Sequence, residues 1–77
     1  MAVEEDQQLT LKKLRERAGL TQRQIADALG VTTTTVGTWE RGEKEPRPSF
    51  LQVKILIETL NCTLDELVEA TSHWHKN

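Results

Sequence analysis

The residues best equipped for chemistry in this 77-residue chain are hydroxyls and cations. Thr33, Thr34 and Thr38 share one face of a short segment whose opposite face carries Val36 and Trp39. A threonine donates or accepts one hydrogen bond and offers a methyl group, but it cannot make the two-pronged grip of a guanidinium or carboxamide. Gln22 opens a second segment just upstream, where unpaired helix amides and the helix dipole favour an anion such as phosphate. Arg23, Arg41, Lys44 and Arg47 add positive charge to both sides of the threonine run. This chemistry suits a patterned polyanion better than a reacting small molecule. There is no nucleophile with a partnered base, no glycine-rich phosphate loop and no metal-ligand set, because His73 and His75 stand without further ligands. The chain is read as a non-enzyme that uses no metal and no cofactor.

Two helices and a turn must position these groups. Thr21 with Gln24 forms a capping box that opens a helix from about Gln22 to Leu29, with Ile25 and Leu29 as its apolar stripe and Ala26 beside them. Gly30 stops it by entering the left-handed region at little cost. Thr32 then caps a second helix, from about Thr33 to Arg41, with Val36 and Trp39 facing inward. Ala26, Gly30 and Val36 are a small residue, a turn glycine and a β-branched residue at offsets that let two helices cross closely. The stretch reads as a helix-turn-helix, which lays its second helix in the DNA major groove.

That second helix is weak on its own terms. Thr33, Thr34, Thr35 and Val36 are β-branched, and Gly37 costs about 1 kcal/mol relative to alanine. Tertiary packing of Val36 and Trp39 has to hold it. Gly37 has two readings: it admits close approach of a DNA backbone, or it marks a place where nothing is read.

The rest of the chain supplies three more helices and two tails. A first helix runs from about Thr10 to Ala18, with Leu11, Leu14 and Ala18 on one face and Gly19 at its end. Gly42 to Pro48 is a loop, since two prolines and a glycine cannot continue a helix. Ser49 with Gln52 caps a helix running to Leu60, and Thr63 with Glu66 caps another from Leu64 to Ala70. Val53, Leu56, Ile57 and Leu60, joined by Cys62, Leu64 and Leu67, make the expected core face. Phe50, Leu51 and Ile55 fall off that stripe and, with Trp74, form a candidate self-association seam; the competing arrangement folds Trp74 back over Phe50 and Leu51 within one chain. Residues 1–9 are read as a flexible acidic tail, 10–70 as the binding domain and 71–77 as a short C-terminal tail. The fold class is all-α, with no strand pattern or repeat.

The chain resembles the lambda-repressor-like helix-turn-helix family of phage repressors, Cro proteins and small bacterial regulators. The resemblance is carried by Leu14, Arg15, Gly19 to Gln22, Ile25-Ala26, Gly30-Val31, Val36, Trp39-Glu40, Gly42, Pro48, Leu60 and Leu64 to Leu67. It covers roughly residues 11–68, and the tryptophan-glutamate-x-glycine ending is among its sharper marks. It implies a compact five-helix domain with helices 2 and 3 as the helix-turn-helix. By the same resemblance, Thr33, Thr34 and Thr38 face base edges and Gln22 contacts the DNA backbone. Arg23, Arg41, Lys44 and Arg47 are placed to join Gln22 there. The resemblance also implies a buried or half-buried ion pair between Arg15 and Glu40 that orients helix 3, and dimeric binding to DNA.

Net charge is −2, which is unusual for a DNA binder, but the distribution is not uniform. Residues 10–54 carry nine Lys/Arg against five Asp/Glu, a net +4, while each flank carries a net −3. Phosphate attraction depends on the local field within a Debye length, so the segregation matters more than the total. One cysteine, Cys62, excludes an internal disulfide and fits a reducing compartment. No leader or membrane-spanning run stands out, so a soluble cytoplasmic protein is expected. The first reading is therefore a small stand-alone transcriptional regulator that binds double-stranded DNA selectively, with no small-molecule effector domain and as a homodimer on DNA. The alternative is a protein-interaction module, antitoxin-like or a regulatory partner, with weak or lost DNA affinity. The acidic total and the absence of long polar side chains at the base-facing positions favour that alternative.

Overall fold

The computed structural model describes residues 8–72. Five helices follow one another: α1 (Leu11–Arg17), α2 (Gln22–Leu29), α3 (Thr33–Glu40), α4 (Phe50–Leu60) and α5 (Leu64–Ala70). The all-α expectation holds, and α2 packs most extensively on α3 and then on α4. The ends of α1 and α3 differ from expectation by one residue, since Thr10 is the N-cap of α1, Ala18 its C-cap, and Arg41 the C-cap of α3.

Local chemistry explains these boundaries. Thr21, Ser49 and Thr63 each accept from the backbone N–H three residues on, while Gln24, Gln52 and Glu66 reach back to the capping residue's own N–H. Such caps satisfy two otherwise orphaned donors, and losing one typically costs about 1 kcal/mol. Gln52 goes further, donating from its amide to the Leu29 carbonyl at 3.0 Å and so tying α4 to the end of α2. Gly42 (φ +77°) closes α3: its N–H donates to the Trp39 carbonyl and that of Glu43 to the Thr38 carbonyl. At the end of α4 the left-handed position is taken by Asn61 (φ 52°), which tolerates that region better than most side chains.

The core is Leu14, Ile25, Ala26, Leu29, Val36, Leu56, Leu60, Cys62, Leu67 and Ala70. Leu14 is wholly inaccessible and sits where α1 meets the crossing helices. Cys62 behaves as a small apolar residue, and burial pushes its thiol up, away from the reactive thiolate. Two expectations are corrected. Ile55 packs against the core rather than standing outside it, and Leu64, expected in the core, is 55% exposed. Leu64 instead lines an apolar groove of about 230 Å³ with Leu11, Trp39, Pro46, Pro48 and Val68. Spacing gives the direction of a helix stripe, whereas the rotation of α4 and α5 against the other helices decides which flank is covered.

An exposed ion pair joins α1 to α5. Both Nη atoms of Arg17 donate to the Glu66 carboxylate at 3.0 Å. Those bonds, and then the Thr63 N–H, hold the Glu66 carboxyl down to about 2, against about 4.3 for an ordinary glutamate. A carboxyl depressed in the folded state stabilises it above the unfolded value, and this contribution is lost as pH falls toward the folded value. Glu66→Gln is expected to melt below the parent protein at pH 7, with the gap narrowing steadily as pH falls below about 4. A gap that stays constant across a thermal-melt series from pH 7 to pH 3 would show that the carboxylate charge contributes nothing.

Candidate nucleic-acid interface

The inner side of α3 is packed, and only part of its outer side is exposed. Val36 is buried against Ile25 and Ala26 of α2 within one cluster, and Trp39 packs against its edge. Thr33 and Thr34 are exposed at the start of the helix. Thr38 is half-buried, and its hydroxyl donates to the Thr35 carbonyl at 2.7 Å, which leaves it to serve only as an acceptor.

A half-buried polar lock ties α3 to α1 and α2. Arg15 Nε donates to Glu40 Oε2 at 2.7 Å and Nη2 to Oε1 at 3.1 Å, while Nη1 donates to the Leu20 carbonyl at 2.9 Å. The two side chains are 14% and 6% exposed. Burial by itself would push the Glu40 carboxyl up, but hydrogen bonds from Arg15 and Gln22 and the Arg15 charge outweigh it and hold the group below its ordinary value. Neither Arg15 nor Glu40 is free to meet a ligand.

Gln22 belongs to this lock, which sequence reasoning missed. Its Nε2 donates one hydrogen to Glu40 Oε1 at 2.9 Å, which turns the side chain toward α3 and leaves one amide hydrogen for any other acceptor. What remains for an anion is that second amide hydrogen and the Gln22 backbone N–H at the first position of α2.

The arginines named as phosphate ligands all have carboxylate neighbours, at unequal strength. Arg23 lies 3.9 Å from Asp27 and Arg47 3.9 Å from Glu45; both arginines and Asp27 are highly exposed, while Glu45 is half-buried. Contacts of that length on the surface contribute little and are readily exchanged for phosphate. Lys44 is exposed in the same loop as Arg47. Arg41 is different. Its Nε and Nη2 donate to the two oxygens of Glu43 at 2.9 and 3.3 Å, and these bonds hold the Glu43 carboxyl below its ordinary range. The Arg41 guanidinium also lies over Gly37, where a Cβ would meet Nη1 at 3.0 Å.

Of the proposed self-association residues, Phe50 is 94% and Leu51 65% exposed, while Ile55 packs on the core; Trp74 lies outside the described residues, as do His73 and His75. Among the described residues no group of His, Cys, Asp and Glu is assembled that could hold a metal ion, and no helix is long and apolar enough to cross a membrane.

The helix-turn-helix family profile matches residues 11–67, which include all five helices except the end of α5. The type II methyltransferase M.SsoII of Shigella sonnei is 43% identical over 49 residues, 60% of this chain and 13% of that protein. The HTH-type transcriptional activator BcrR of Enterococcus faecalis is 36% identical over 58 residues, 75% of this chain and 28% of that protein. The chain thus spans less than a third of the length of either curated relative. No solved structure matches it at a significant level.

Proposed function

The chain belongs to the helix-turn-helix family of Cro/C1 type, a family of DNA-binding transcriptional regulators, and from that premise we propose that it binds double-stranded DNA selectively with α3 in the major groove. In this reading Thr33 and Thr34 donate to or accept from base edges, Thr38 accepts, and the Arg23, Lys44 and Arg47 side chains meet phosphate with the Gln22 backbone N–H. The observation that carries it is the two-sidedness of α3: Val36 is buried against α2, while Thr33 and Thr34 stand exposed on a helix fixed at both ends. The overlap with a methyltransferase fits the same reading. Only 13% of that enzyme is shared, so the common part is taken as a DNA-binding module.

Threonine contacts are monodentate, so one copy reading one half-site discriminates weakly. Two copies on an inverted repeat, meeting through the exposed Phe50 and Leu51, is the assembly this reading predicts. The exposed apolar pair also supports the second reading, a protein-interaction module.

Selection of bound sequences from a random duplex pool separates the two. Enrichment of an inverted repeat with two chains per duplex supports the proposal. Thr33→Ala and Thr34→Ala are each expected to relax base preference by about 1 kcal/mol or less while leaving non-specific affinity alone. No enrichment, with no duplex binding at low salt, favours the interaction module.

A further inference from the structure

On the threonine face of α3 an additional group is in place. Thr34, Gly37, Thr38 and Arg41 follow the spacing i, i+3, i+4, i+7, which puts all four on one helical face. Arg41 is the C-cap, at the far end of α3 from Thr33 and Thr34. Its side chain nevertheless turns back along the helix and seats the guanidinium over Gly37, bringing it about one turn, ~5.4 Å, closer to the two exposed threonines. Gly37 is buried although it lies on the outward face, and the atoms a Cβ would meet there all belong to Arg41. A side chain at position 37 would press on that seat.

Glu43 holds the guanidinium by one edge. The carboxylate takes Nε and Nη2, which leaves Nη1 and the second hydrogen of Nη2 as a free pair of parallel donors. Two parallel donors on a plane match the O6 and N7 acceptors of guanine in the major groove, the two-pronged contact the threonines cannot make. The pairing differs from the looser Arg23–Asp27 and Arg47–Glu45 contacts in being two-pronged and closer to ideal length.

We propose that Arg41 reads a guanine base rather than a phosphate, with Glu43 as the positioning residue that fixes its guanidinium and Gly37 as the seat that admits it. The inference rests on the DNA-binding reading above. It assigns Gly37 a role distinct from both sequence-based readings, since the space left by the missing side chain is filled by the protein's own arginine.

The test is selection from a random duplex pool, followed by binding of the selected duplex and of variants with each enriched guanine replaced. The parent protein is expected to enrich at least one guanine per half-site. Arg41→Lys keeps the charge but loses the fork, and is expected to lower discrimination at that guanine about 10-fold or more while non-specific affinity and its salt dependence stay unchanged. Glu43→Gln is expected to weaken the same preference several-fold, and no other position of the site. A DNA-free readout accompanies it: Glu43 titrates below the ordinary glutamate range by carboxyl NMR in the parent and returns to that range in Arg41→Ala. If Arg41→Lys and Glu43→Gln leave guanine preference intact, or if Glu43→Gln raises affinity for all duplexes alike, the guanine assignment is overturned and Glu43 merely competes with phosphate. If the parent protein binds no duplex, the DNA-binding reading falls, and this inference with it.

Discussion

Glu40→Ala is expected to destabilise the fold by about 3 kcal/mol, lowering the melting temperature of a domain this small by roughly 15 °C. Truncation leaves the Arg15 guanidinium, only 14% exposed, without its carboxylate, and it strands the Gln22 Nε2 donor as well. Both are desolvated groups whose loss of a partner costs more than the intact pair contributes. The double change Arg15→Met with Glu40→Leu removes charge and donor demand together, and is expected to be much milder than either single change. Thermal and urea denaturation of the four proteins, read as a double-mutant cycle, measures the coupling directly. Strictly additive losses would show that the contact is energetically idle. The same lock predicts an indirect effect on recognition. Any duplex binding left in Glu40→Ala at temperatures where it is folded should lose discrimination, because the angle of α3 is no longer held from both α1 and α2.

Raising salt from 50 to 200 mM is expected to weaken duplex binding by roughly 1,000-fold for two copies on one site. Three cations per chain are assigned to phosphate, Arg23, Lys44 and Arg47, which makes about six contacts and a slope of log K against log salt near −5. The acidic net charge of −2 does not cancel this, because screening confines each interaction to its own neighbourhood. Arg47 is the informative position, since its side chain is 86% exposed and lies 3.9 Å from Glu45, a contact with little to lose. Arg47→Ala should flatten the slope by about one unit for each copy bound and weaken selected and unrelated duplexes equally. Fluorescence anisotropy over a salt series reads both quantities. An affinity that does not respond to salt would remove the cationic surface from the account, whatever happens at the bases.

Both effects depend on residues that sequence alone treated unequally. Arg15 and Glu40 are 25 positions apart, and no local rule pairs them; the family resemblance implied the contact and the structure supplies its geometry. Gln22 and Glu40 are 18 apart, and nothing in the local pattern separates a glutamine that donates to phosphate from one that donates to a half-buried carboxylate. The competition is settled by where the end of α3 lies against the start of α2. Arg41 presents the same problem, since a cation after a helix reads as a phosphate ligand, and nothing local foretells that its side chain lies over Gly37.

What the sequence determined by itself is the set of elements and, to within one residue at α1 and α3, their ends. The capping boxes at Thr21, Ser49 and Thr63, the N-cap at Thr32, the left-handed glycines and the proline loop all act within about four residues, so their physics is local and legible. Apolar spacing likewise predicted that Leu14, Ile25, Leu29, Val36, Leu56 and Leu67 face inward. Spacing gives the direction of a stripe but not its width. Only the packed arrangement decided that Ile55 is covered and Leu64 is not, that Gln22 turns inward, and that the outward face of α3 carries a guanidinium. These outcomes depend on the crossing of helices far apart in the chain, where a rotation of a few tens of degrees exchanges a buried partner for solvent.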